Sequence, residues 1–159
     1  MGTGNQDEDF GIGYYTLFGD GAVHASPIGN LSKRLVREMA DYMGFKELSQ
    51  RVATAGLEDN QTDMTDLGYS YDVVELVTEG FRQKFKKEDL YTHPQVLEFL
   101  GDKNHLTNKY DNMTDVVDDI YRRHQTAKSK ESLVSPPICK VTKTYKPAAI
   151  KLQAYELAA

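Results

Sequence analysis

The chain has no tryptophan and one cysteine, Cys139, among its 159 residues. A lone cysteine allows no intrachain disulfide and no thiolate metal cluster, which points to a reducing compartment. No apolar run approaches the ~20 residues that cross a bilayer, so membrane insertion is not expected. Met1 to Asp9 is polar and acidic, unlike a signal peptide or a transit peptide. Met1-Gly2 opens like a myristoylation signal, but Gln6 stands where Ser or Thr is required. The expected setting is therefore the cytoplasm or an assembled particle.

Catalytic motifs are scarce as well. The stretch "GIGYYTLFGDGAVHASPIGNLSKR" (residues 11–34) is rich in glycine but lacks Gly-Lys-Ser/Thr at Walker spacing, and Thr16 stands where a dinucleotide fingerprint needs its third glycine. The glycines are explained by turns. His24, His93, His105 and His124 form no His-x3-His or Glu-x-x-His pair. An EF-hand frame begun at Asp59, running through Asp63 and Asp66, puts Met64 and Ser70 where Gly and Glu are needed. Asp118 and Asp119 are neighbours on a helix and point about 100° apart, which is poor for a shared proton. No Ser, Thr or Cys has a recognisable nucleophile setting. The expectation is a protein without catalytic residues, cofactor or metal.

What is present is a charge asymmetry. Residues 1–121 hold 11 Lys/Arg against 22 Asp/Glu, and residues 122–159 hold eight Lys/Arg against two Asp/Glu. An acidic body thus carries a basic tail, within a net charge of −5, and such a split is a statement about partners. Forty per cent hydrophobic residues and a mean hydropathy of −0.56 fit one globular domain with a modest core.

The pattern predicts a mainly α fold. The expected domain has about five helices, an N-terminal β-hairpin and an extended C-terminal arm ending in a short helix. Residues 1–9 read as a flexible acidic leader, 10–130 as the helical body and 131–159 as the arm. The hairpin pairs Tyr14–Phe18 with Ala22–Ala25 across Gly19-Asp20-Gly21. Asn30 is taken as the cap of a first helix whose inner face is Leu31, Leu35, Val36, Met39, Ala40, Tyr42 and Met43. Gly44 ends it, and Phe45, Leu48, Val52 and Ala55 form a second, shorter helix. Residues 57–69 read as an acidic loop. Ser70 caps a third helix running to about Phe85. Thr92 and Gln95 have capping-box spacing for a fourth, with Pro94 in its first turn. The fifth begins near Asn112, acidic early and basic late, which suits the helix dipole.

Two sites stand out. Ser32, Lys33 and Arg34 lie at a helix start and could hold an anion, although a solvated face paired with the acidic body explains the same cations. In the arm, Ile138, Lys140, Val141, Lys143, Tyr145, Lys146, Ile150, Lys151, Leu152, Tyr155 and Leu157 alternate charge with apolar bulk. That alternation suits a segment laid on a protein surface, in its own chain or in another copy. The resulting expectation is a non-catalytic structural or interaction subunit of a larger assembly, such as a virion or tail-connector component or an accessory subunit. Its partners are other protein subunits or copies of itself, docked through the arm. The alternative is a small nucleic-acid-associated protein using the same basic segment.

Overall fold

The sequence from Tyr71 to Arg82 places Val73, Val74, Leu76 and Val77 within one helix, and all four are fully buried. This helix is the axis of a computed structural model that describes residues 1–134 and 136–139. Among the described residues there are seven α-helices: α1 (Lys33–Tyr42), α2 (Lys46–Ser49), α3 (Asp63–Leu67), α4 (Tyr71–Arg82), α5 (Lys87–Tyr91), α6 (Pro94–Gly101) and α7 (Met113–Leu133). A π-helical turn, Gln6–Gly11, precedes them. α4 packs against α1, α5, α6, α7 and that turn. Ile12, Leu67, Tyr69, Leu90, Val96, Leu100, Val116, Val117 and Ile120 complete the core around it.

The mainly α expectation holds, and the hairpin does not. Among the described residues the only β pairings are two isolated bridges, Ser26 with Ile138 and Tyr69 with Leu106. The Gly19-Asp20-Gly21 turn closes locally: the Asp20 carboxylate accepts from both the backbone N–H and the hydroxyl of Thr16. The residues meant for the return strand are spoken for elsewhere, because Gly2 N–H donates to Ala25 O at 2.7 Å. Residues 1–9 are drawn into the body, with Gly2, Asn5 and Asp7 buried.

Several boundaries shift for local reasons. Ser32, not Asn30, caps α1, its hydroxyl accepting from Leu35 N–H at 3.3 Å. α2 is one turn long and the hydrophobic residues around it stay outside: Tyr42, Met43, Phe45, Leu48 and Val52 are all exposed. His93, rather than Thr92, is the cap residue of α6, which puts Pro94 at the helix start. The acidic stretch expected as loop contains α3, set by a reciprocal cap between Thr62 and Thr65 and ended by Gly68 at φ +94°. A side chain at Gly68 would be strained in that conformation and would strike Tyr110.

α7 fastens the two ends of the described chain together. His124, buried in mid-helix, hydrogen-bonds Gly11 O through Nδ1 at 2.8 Å and stacks on Phe81. Lys130 donates to Gly13 O and Tyr15 O. Beyond it, Ser26 N–H donates to Pro137 O at 3.0 Å.

Candidate functional site

The π-helical turn begins with Asn5, whose side chain accepts from Asp7 N–H and Glu8 N–H while Glu8 reaches back to Asn5 N–H. This cap fixes two neighbouring carboxylates in different surroundings. Asp7 turns inward, 1 % exposed, and its Oδ2 accepts from Lys33 N–H at 2.7 Å. A side chain thus occupies the N-terminus of α1, where unpaired N–H groups favour negative charge. Burial pushes the Asp7 carboxyl up to about 7, against the lowering effect of that bond. Glu8 stays near the surface and pairs with Lys33 Nζ at 2.5 Å. The Lys33 ammonium also lies over the Tyr71 ring, 5.4 Å from its centroid.

α3 adds a second pair. Asp63 is 5 % exposed; its Oδ2 accepts from Tyr71 OH at 2.8 Å, and its N–H donates to Ala53 O. Asp66, one turn on, accepts from Tyr14 OH at 2.7 Å and from Gln61 Nε2 at 2.6 Å. Asp7 Oδ1 and Asp63 Oδ1 are both buried without a hydrogen-bond partner. Burial raises the Asp63 carboxyl even though the Tyr71 bond lowers it.

These groups frame two adjoining clefts. One, about 440 Å³, has Lys33, Arg34 and Arg37 among its lining and Ser70, Asp72 and His105 as well. The Ser70 hydroxyl and His105 Nδ1 are 2.8 Å apart there. The other, about 150 Å³, is acidic: Glu8, Asp9, Asp20 and Asp63 line it together with Thr3 and Tyr14. Burial, then repulsion from Glu8 and Asp20, raises the Asp9 carboxyl to about 6. A Cβ on Gly4 would run into the Asp9 carboxylate, which would have to turn away. Asp63 lines both clefts, and Lys33 stands at their boundary through its pair with Glu8.

The residues singled out from sequence are placed as follows. Ser32 caps α1 and Lys33 reaches Glu8. Arg34 grips the buried Glu75 through Nε and Nη2, at 3.2 and 3.1 Å, and also pairs with Glu38. In the arm, Ile138 bridges to Ser26 of the same chain. Lys140, Val141, Lys143, Tyr145, Lys146, Ile150, Lys151, Leu152, Tyr155 and Leu157 lie outside the described residues. The spacing of the sequence does not reveal Asp7, Glu8, Tyr14, Asp63 and Tyr71 as a group. They come from four separate segments and share no short motif, although Asn5 and Glu8 have the spacing of a helix cap.

Comparison with known proteins supplies a family. A protein-family model described as NAD synthase matches residues 1–99. The NH(3)-dependent NAD(+) synthetase of Methanococcoides burtonii is 45% identical over 78 residues, covering 48% of this chain and 29% of that protein. Its counterpart from Halobacterium salinarum strain R1 is 46% identical over 78 residues, with 48% and 29% covered. That of Wolinella succinogenes is 35% identical over 114 residues, with 69% and 44% covered. The chain thus spans less than half the length of these relatives. It belongs to the NAD synthase family. The expectation of a non-catalytic assembly, virion or nucleic-acid-associated protein is overturned by these matches, which indicate an enzyme. Missing short motifs do not exclude chemistry built from residues far apart in the sequence.

Proposed function

We propose that this chain contributes the polar clefts of an ammonia-dependent NAD(+) synthetase. The observation that carries the reading is positional. Every residue lining the acidic cleft, and all of the larger cleft except Asn104 and His105, falls within the matched residues 1–99. NAD(+) joins its two nucleosides through a pyrophosphate, so its binding calls for cations beside polar groups that accept from ribose hydroxyls. The larger cleft has both kinds in its lining, the cations Lys33 and Arg37 and the carboxylate of Asp72. Of the anion site expected at Ser32, Lys33 and Arg34, Lys33 is the member suited to a phosphate. Its ammonium is held by one partly exposed carboxylate and can exchange it, whereas Arg34 is committed to buried Glu75 and shapes the wall.

A cytoplasmic enzyme fits the single free cysteine, Cys139. No helix among the described residues is long and apolar enough to cross a membrane.

The test is calorimetric titration of NAD(+) into the full chain and into Lys33→Met. Saturable binding, weakened about tenfold or more by the substitution, is expected, about 1.4 kcal/mol in binding free energy. An intact chain that takes up no NAD(+) at millimolar concentration refutes the reading.

A further inference from the structure

We propose that Ser70 and His105 are a nucleophile and its general base, a second reactive site that hydrolyses anionic esters. It stands apart from the NAD(+) binding above, which calls on Lys33, Arg37 and Asp72.

The two residues are 35 positions apart, and the backbone brings them together. Tyr69 and Leu106 form an antiparallel bridge. On either side of it, Ser70 N–H donates to His105 O at 2.9 Å and Thr107 N–H to Gly68 O at 3.0 Å. Held by these ties, the Ser70 hydroxyl lies 2.8 Å from His105 Nδ1. The imidazole is fixed from another direction by Phe99, on which it stacks with centroids 5.0 Å apart.

Ser70 is the N-cap residue of α4, where a serine hydroxyl ordinarily accepts from an N–H of the first turn. Here it makes no such bond. The hydroxyl is given to the imidazole instead, the pairing that activates a serine for attack on a carbonyl. The first N–H groups of α4, left without an acceptor from the cap, stand at the positive end of a twelve-residue helix. They can receive the oxyanion that forms when Ser70 adds to the carbonyl. Asp72 Oδ2 is 3.9 Å from His105 Nδ1 and Asp102 Oδ2 is 4.0 Å from Nε2. Neither contact is a hydrogen bond, but both carboxylates favour the imidazolium that forms once the ring has taken a proton.

The pair is open to solutes. The His105 side chain is 20% exposed, and both residues line the cleft of about 440 Å³. Lys33, Arg34 and Arg37 share that lining and give the site its preference for an anionic substrate. The step balances within the pair. Ser70 Oγ bonds to the ester carbonyl carbon as its proton passes to His105 Nδ1. The bond to the alcohol oxygen then breaks, and the alcohol leaves with that proton. Water repeats the sequence on the acyl-serine, releasing the carboxylic acid and restoring the Ser70 hydroxyl.

The experiment treats the full chain with diisopropyl fluorophosphate, which phosphorylates activated serine hydroxyls with loss of fluoride, and locates the modified peptide by mass spectrometry. Uptake at Ser70 ahead of every other serine is expected, slowed about a hundredfold or more in His105→Gln. Turnover is then compared for 4-acetoxybenzoate and phenyl acetate, with the anionic ester expected to be the faster and Ser70→Ala inactive on both. Because the hydroxyl caps nothing, Ser70→Ala should keep the parent's urea midpoint. Labelling of Ser70 no faster than of other serines overturns the proposal, as does labelling of His105→Gln at the parent rate. Equal turnover of the two esters overturns the anionic substrate class.

Discussion

Two buried aspartates, Asp119 on α7 and Asp7 in the N-terminal turn, meet opposite fates within one small fold. Asp119 is surrounded by donors: Tyr69 OH at 2.9 Å, Tyr110 OH at 3.0 Å, Arg123 Nε at 2.7 Å, and Arg122. Burial alone would raise its carboxyl, but the bonds from Arg123, Tyr69 and Arg122 outweigh it and hold the group at about 2. Asp7 has one backbone donor and an idle oxygen, and sits at about 7. Burial is common to both, so donor supply decides the charge state. The donor-rich site belongs to the packed interface of α4 and α7. Of the two carboxylates with an idle oxygen, Asp63 lines both clefts and Asp7 lies at the start of α1 beside Lys33, as expected where a fold leaves local rules unsatisfied for a ligand.

The harshest way to break this contrast is Asp119→Ala. It strips two tyrosine hydroxyls and half-buried Arg123 of their acceptor, and should cost about 3–5 kcal/mol in urea unfolding. A loss below about 1 kcal/mol would show that the network is ornamental.

Acidity sharpens the comparison. The Asp7 carboxyl is raised in the folded state, so its contribution to stability is full below the unfolded value near 4 and is lost as pH rises to about 7. Asp119 is depressed, so its contribution is present above that value and is lost as pH falls towards 2. His124, lowered by burial, works against Asp7 below its ordinary value of 6.5. The difference between Asp7→Asn and the parent isolates the carboxyl. Urea midpoints should show the variant gaining on the parent between pH 4 and pH 7, by up to about 4 kcal/mol. A difference independent of pH would mean that Asp7 does not titrate there.

Smaller effects belong to the cleft rim. Tyr71→Phe removes the single donor to Asp63 and should cost about 1 kcal/mol in the same urea assay. Lys33→Met loses a partly exposed ion pair, worth at most about 1 kcal/mol. Its stability should therefore barely move while NAD(+) affinity drops, and a large stability loss would mark Lys33 as structural.

The regions also differ in how readable they are. α4 and α7 follow from apolar spacing because their inner faces are buried against one core, and α6 is announced by Pro94. α3 escapes that logic: its buried residues are Asp63 and Leu67 in an otherwise polar run, so no apolar period marks it. A β-prone run followed by Gly-Asp-Gly suggests a hairpin but says nothing about partners, and those residues bond to Gly2 and to one another instead. The clefts were invisible for a related reason. Spacing rules detect residues that share one element, and here Glu8, Lys33, Asp63 and Tyr71 meet only after the chain has folded.

Gly2 rests on Ala25, and the next residue, Ser26, takes the carbonyl of Pro137. Two points 135 residues apart in sequence are thus moored to a single peptide unit, one to its carbonyl and the other to its N–H. A short covalent splice between them would close the chain into a ring, and the exposed Leu57–Asn60 turn offers a natural place to open it again. In such a rewired chain Asp63 and Tyr71 would lead and Glu8 and Lys33 would follow, with the same clefts built from the reverse order of segments.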